Sequence, residues 1–217
     1  CTTPAQNVGM TTVAVVLDNR QSFNTLEYAF TAMPRISSAV PSAGSSSGGT
    51  IVQVTGTHFG EGMECRFEDS VPYLASVLSS TLARCVTPAQ EPGISSIELS
   101  PNGVDYTRSG FLFAFEKAPE VHYITPSRVA TSTSNVASSI TVVGSNSVSR
   151  DGLSCRFGLQ VTVLAQMLSK DMIECPVPDS ISVGNVTVEV SNNGFDFTTD
   201  GVQIEVASPS YQGVAPL

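Results

Sequence analysis

Tryptophan is absent from the 217 residues, histidine occurs twice, and only 13% of the side chains are charged. With no Trp and five Tyr, few aromatic platforms exist for an accessory sugar-binding module of a secreted enzyme. Positive charge is scarce too: 10 Lys and Arg face 19 Asp and Glu, for a net charge of −9. A phosphate backbone is repelled by that balance, which argues against nucleic acid as a partner. No apolar run approaches the ~18 residues of a spanning helix, so no membrane contact is read within the chain. The first residues, CTTPAQNVGM, lack the basic start and apolar core of a signal peptide. Any signal or anchor is therefore expected outside this stretch. HExxH, P-loop and CxxC motifs are all missing, so the reading is no enzyme, no cofactor and no metal.

What is abundant is Ser (30), Thr (20), and Gly plus Pro (30 together). Such a composition, poor in Leu-rich and Lys/Glu-rich runs, favours β structure with many turns.

A repeat organises the chain. Cys65 and Cys85 are 20 residues apart, as are Cys155 and Cys175, and the second pair follows the first by 90. Cys65-Arg66-Phe67 recurs as Cys155-Arg156-Phe157, and CVTPA from Cys85 is echoed by CPVPD from Cys175 and by CTTPA from Cys1. Pro34/Pro41, Pro119/Pro126 and Pro209/Pro216 are each seven apart. Between cysteine and proline runs a third shared segment: IELSPNGVDYT from Ile97, VEVSNNGFDFT from Val188, and more loosely VVLDNRQSF from Val15. These markers divide the chain into the back part of one repeat (1–33), two complete repeats (34–118 and 119–208) and the opening of another (209–217). The expectation is a piece of a longer array.

Within 34–118, seven short apolar runs alternate: Ile36 to Val40, Thr50 to Thr55, Met63 to Phe67, Tyr73 to Leu78, Leu82 to Val86, Ile94 to Leu99 and Phe111 to Phe115. Gly, Pro, Asn and Ser punctuate them, which is the pattern of a β-sandwich. Asn102-Gly103 and Asn193-Gly194 take positive φ readily and are read as tight hairpin turns. Ser139 to Gly144 mirrors the Thr50–Gly56 run. Cysteine at i and Phe at i+2 share a strand face, so Cys65/Phe67 and Cys155/Phe157 are expected to point inward. Cysteine connectivity does not follow from sequence. An intra-repeat bond keeps each repeat self-sufficient; free buried thiols are the other reading.

The residues GGTIVQVTGTHFG from Gly48, the CRF strand, the CVTP and CPVP steps and the Asn-Gly segment resemble IPT/TIG domains. These are immunoglobulin-like folds found in plexins, growth-factor receptors, Rel-type transcription factors and some starch-processing enzymes. The resemblance implies an all-β chain of tandem immunoglobulin-like sandwiches. Its cysteine-containing, plexin-like extracellular branch implies intradomain disulfides, Cys65–Cys85 and Cys155–Cys175. The second complete repeat lacks the Gly-Gly and the His-Phe loop of the first.

His58 and His122 fall at different places in their repeats, so no repeated catalytic unit exists. Asp105 and Asp196 recur beside the Asn-Gly steps, but one carboxylate per repeat is too few for calcium; an Asx-type hydrogen bond holding the turn is the reading. Asn185-Val186-Thr187 is the single N-x-S/T sequon, taken as an N-glycosylation site on an exposed edge. Ser45–Ser47 and Thr131–Ser134 read as polar loops. Cys1 has no partner within the chain: by register its partner lies upstream, the alternative being a bond to another chain. Residues 1–33, with Val13 to Leu17 and Leu26 to Phe30 as strands, hold only back strands of a sandwich. Upstream sequence is expected to complete it, or else a neighbouring chain. Pro119 and Pro209 are expected to stiffen the junctions.

The function expected is an extracellular or cell-surface structural or adhesive segment, a stalk or fibre. Its partners would be proteins, further repeats or glycans. A plexin-like signalling ectodomain is the alternative reading, and the sugar-binding module the third.

Overall fold

A computed structural model describes residues 2–17, 20–21, 25–68, 70–130, 138–159 and 161–208. Cys1, the Thr131–Ser134 run, and residues 209–217 with Pro209 lie outside the described residues. Four short strands come first: β1 (Gly9–Val13), β2 (Val16–Leu17), β3 (Arg20–Gln21) and β4 (Leu26–Phe30). Nine follow: β5 (Arg35–Val40), β6 (Ala43–Ser45), β7 (Ile51–Thr57), β8 (Glu64–Phe67), β9 (Tyr73–Leu74), β10 (Ser76–Ser79), β11 (Leu82–Val86), β12 (Gly93–Ser100) and β13 (Leu112–Glu116). Nine more repeat them in order: β14 (Glu120–Thr125), β15 (Arg128–Ala130), β16 (Ser139–Ser145), β17 (Ser154–Phe157), β18 (Val161–Leu164), β19 (Gln166–Ser169), β20 (Met172–Pro176), β21 (Gly184–Ser191) and β22 (Gln203–Ala207).

The first set of nine makes two sheets, β10-β11-β7-β5 and β6-β13-β12-β8-β9; the second makes β19-β20-β16-β14 and β15-β22-β21-β17-β18. The order is the same strand for strand, an immunoglobulin-like sandwich built twice. Ile51-Val52-Gln53-Val54 shows why: alternation buries Val52 and Val54 and leaves Ile51 and Gln53 outside. Phe67, Phe113 and Phe115 meet edge to face in the first core, with centroids 4.9–5.7 Å apart. Cys65 on β8 bonds Cys85 on β11, and Cys155 on β17 bonds Cys175 on β20, each joining the two sheets across a Cα separation of 5.9 and 6.0 Å. Phe67 and Phe157 lie inward beside them. Gly56 and Gly144 sit where a Cβ would come within 1.9 and 2.0 Å of the carbonyl oxygens of Arg35 and Glu120. Only glycine lets β7 and β16 close on their neighbours.

Several details differ from the sequence reading. The Tyr73–Leu78 run breaks at Ala75 into two strands in different sheets. Ser45, read as loop, ends β6, a strand without apolar alternation that forms because it pairs in parallel with β13. The Asn-Gly steps are not two-residue hairpin turns: residues 101–111 and 192–202 separate the paired strands. In the partial repeat Gly9–Val13 pairs with β4 from Gly9↔Phe30 to Val13↔Leu26, and of the Val13–Leu17 run Val16–Leu17 forms a separate pair with Arg20–Gln21. The matching strand of the first sandwich is β12, whose first half pairs with β13 and second half with β8. In residues 1–33 the first half likewise pairs with the β13 counterpart, β4, while Val16–Leu17 turns back on β3.

Candidate functional site at the junction between the sandwiches

The repeated words S-x-N-G-x-D-[YF]-T are one hydrogen-bonded unit. In the second sandwich Ser191 Oγ donates to Asn193 Oδ1 at 3.0 Å. That same oxygen accepts the amides of Phe195 and Asp196 at 2.9 Å each. Gly194 supplies the φ of 78° that the bend requires. Asn193 Nδ2 donates to Asp196 Oδ2 at 2.7 Å, and Thr198 Oγ1 accepts the Val190 amide at 3.1 Å, closing the segment onto β21. The first sandwich has the same set: Ser100 to Asn102 (3.1 Å), Val104 and Asp105 amides to Asn102 Oδ1 (3.0 and 2.8 Å), Asn102 Nδ2 to Asp105 (2.9 Å) and Leu99 N to Thr107 (2.9 Å). The expected Asx-type hydrogen bond is present, with Asn rather than Asp as the acceptor for the backbone. Beside each turn an arginine of the CRF word lies over the following ring. Arg66 is 3.7 Å from the Tyr106 centroid and Arg156 4.2 Å from that of Phe197. Arg66 also pairs with Glu98 at 2.6 Å, and Arg156 Nε donates to Glu189 at 2.7 Å. Burial of the Tyr106 hydroxyl, with its hydrogen bond to the Glu64 carboxylate, holds its pKa above the ordinary tyrosine value, the Arg66 charge opposing.

The second turn is seated on the first sandwich. Asn193 uses its other amide hydrogen on the Ala43 carbonyl of β6 at 2.9 Å, and Thr50 Oγ1 donates to Asp196 Oδ2 at 2.7 Å. Thr50 is only 1% exposed. Two further contacts cross the junction. Arg150 Nη2 pairs with Glu116 Oε1 at the end of β13. Asn146, at φ 59°, donates to the carbonyl of Ala118 at 3.1 Å, which ties down the two-residue linker Lys117-Ala118 just before Pro119. Arg150 reaches Glu116 because the Gly144–Cys155 loop is two residues longer than Gly56–Cys65 and is pinned by the buried Asn192, which holds Val148 N and Asn146 O. A cleft of about 230 Å³ remains between the sandwiches, with Gly44, Lys117 and Phe197 on its walls.

Other residues singled out in the sequence stand elsewhere. Asn185 is exposed, and there β21 pairs with β22 on one side only, its pairing with β17 beginning at Val188; the side chain leaves from the outer face. His122 lies exposed at the β14 bulge, 3.7 Å from Glu120, and His58 is exposed at φ 60° in the place Asn146 occupies in the second sandwich. Among the described residues no three His, Cys, Asp or Glu side chains gather to hold a metal ion, and no helix is long and apolar enough to cross a membrane.

Residues 34–115 match the family model for the IPT/TIG domain. The first sandwich is an IPT/TIG domain. Its strand order, inter-sheet disulfide and Asn-Gly unit recur in the second, so the all-β, immunoglobulin-like class holds for both. Mouse fibrocystin-L is similar over 95 residues at 32% identity, which is 44% of this chain and 2% of that protein. The extracellular region of plexin A4 shares the fold with a TM-score of 0.53 at 16% identity, over 95% of this chain and 19% of that one. This chain therefore spans a small part of either. The two disulfides are of the kind that persists in oxidising compartments.

Sequence reasoning saw the IPT/TIG turn as local geometry and missed its seat. Ala43, Glu116 and Arg150 carry no motif, and Thr50 sits in the GGTIVQVTGTHFG word with nothing there to mark it as a contact, because a junction is made by residues from two repeats that no periodicity relates. One signal was present: the turn tip is apolar in both repeats, Val104 and Phe195, where a solvated turn needs neither.

Proposed function

We propose that this chain is a non-catalytic segment of an extracellular array of IPT/TIG repeats. Its role is structural or adhesive: it sets the distance and direction between what lies before it and what lies after it. The observation that carries this reading is the junction, where side chains from both sandwiches and the linker between them are hydrogen-bonded together. A spacer needs fixed geometry at each joint, and a two-residue linker capped by proline with four cross-contacts supplies it. The disulfide pairs support a secretory route, and the exposed Asn185 sequon is accessible to the glycosylation machinery. Partners in this reading are neighbouring repeats and other proteins at the cell surface. The test is labelling of intact source cells with a membrane-impermeant reagent, followed by glycosidase treatment. Labelled protein carrying a glycan at Asn185 is the expected result. Protein labelled only after permeabilisation, with alkylatable thiols at all four core cysteines, would overturn it.

A further inference from the structure

We propose that the Asn102–Asp105 turn of the first sandwich is a docking surface for the repeat that precedes it, the one whose closing hairpin is β1 and β4. The occupant is the front part of that repeat. It offers a backbone carbonyl in the place of Ala43 and a hydroxyl side chain in the place of Thr50. The inference rests on the reading of the chain as a continuous array.

Three observations carry it. The two turns share the same Ser, Asn, Asp and Thr hydrogen bonds, yet one is seated and the other is bare. Residues 193, 194 and 196 are half-buried under the neighbouring sandwich, whereas residues 102–105 are all exposed. Asn193 Nδ2 has two acceptors and Asp196 Oδ2 two donors; among the described residues Asn102 Nδ2 has only Asp105, and Asp105 Oδ2 only Asn102. The vacant donor and acceptor are those that Ala43 and Thr50 engage in the seated turn. At the tip Val104 is 78% exposed and Phe195 60%, the latter beside Val40 and Pro41 of the neighbouring sandwich.

The exit from the preceding repeat also has the same register and spacing. Gly9↔Phe30 has the register of Gly93↔Phe115, and four residues lead from Phe30 to Pro34 as from Phe115 to Pro119. Its hairpin lacks the opposing sheet: Val13 is 47% and Tyr28 38% exposed, while their counterparts Ile97 and Phe113 are 0% exposed. A sandwich completed on that hairpin brings its β6 counterpart to the Asn102 turn. The ion pair is not carried over, since Thr31 and Gly60 stand where Glu116 and Arg150 stand. Docking there depends on the turn alone.

The experiment uses the chain extended through the complete preceding repeat, with spin labels placed to report the distance across each junction. Asp105→Ala is expected to broaden the distance distribution between the preceding repeat and the first sandwich at least twofold, leaving the next junction unchanged. Asp196→Ala is expected to do the converse. Val104→Lys, at an exposed tip that tolerates lysine without unfolding, is expected to reproduce the Asp105→Ala broadening if that variant fails to fold. A narrow, unchanged distribution in Asp105→Ala and Val104→Lys, with Asp196→Ala broadening its own junction, overturns the proposal while leaving the array reading intact. Narrow distributions in all three variants overturn both.

Discussion

Replacing Thr50 with valine and Asp196 with alanine, singly and together, isolates the contact that joins the two sandwiches. Thr50 Oγ1 is buried and has Asp196 Oδ2 as its acceptor at 2.7 Å. A hydrogen bond to a charged group contributes about 1.5–3 kcal/mol net. Asp196→Ala strands the buried hydroxyl and also frees one hydrogen of Asn193, so a loss near 3 kcal/mol is expected. Thr50→Val keeps the shape and lets water reach the half-buried carboxylate, so about 1 kcal/mol is expected. The double variant no longer has the stranded hydroxyl, so its loss falls short of the sum by about 1 kcal/mol. Urea unfolding followed by amide signals from each sandwich separately gives all four corners. Losses that add to within about 0.3 kcal/mol, the behaviour of independent sites, would refute the reasoning, because the contact would then carry no coupling.

The Cys65→Ala/Cys85→Ala pair opens a closed loop of 20 residues worth about 3 kcal/mol on chain-entropy grounds. The first sandwich should lose roughly 12–24 °C in Tm while the second keeps its own; calorimetry showing no loss would contradict this. Gly144→Ala puts a Cβ 2.0 Å from the Glu120 carbonyl oxygen and should destabilise the second sandwich by about 3 kcal/mol. Gly60→Ala, with open space around it, should change denaturation midpoints little. Tyr106 has its pKa raised by burial and by the Glu64 carboxylate, so the fold favours the neutral phenol. That stabilisation is intact below the ordinary tyrosine pKa near 10 and is lost as pH rises through the folded value. An ultraviolet titration should show a late-ionising component that disappears in Tyr106→Phe; a titration curve whose late part is unchanged in that variant would count against it.

Much of the fold was legible because sandwich strands announce themselves. Val52 and Val54 alternate with exposed neighbours, and Cys65 and Phe67 share a face, so period two marks both strand and core. β6 was illegible because Ala43-Gly44-Ser45 has no apolar alternation, and its place is set by the carbonyls of β13. The pairing of Gly9–Val13 was not read because GMTTV carries none of the repeated words and little apolar alternation. At the site, the motif residues Asn193 and Asp196 were visible and their internal bond foreseen. Their partners were not, because Ala43 offers a backbone carbonyl and Thr50 a common hydroxyl. Neither residue type signals an interface until the chain is folded. Asn185 was plain from its sequon, and there β21 pairs with β22 but not with β17.

The central claim is that the two sandwiches form one fixed unit through the Asn193–Asp196 turn. Residual dipolar couplings measured on the 217-residue chain, fitted separately for 35–116 and 120–207, test it most directly. A single alignment tensor, equal in magnitude and axes for both sandwiches, is the predicted result, with Asp196→Ala splitting it into two. Two tensors of different magnitude in the unaltered chain would mean freely hinged domains and would contradict the account.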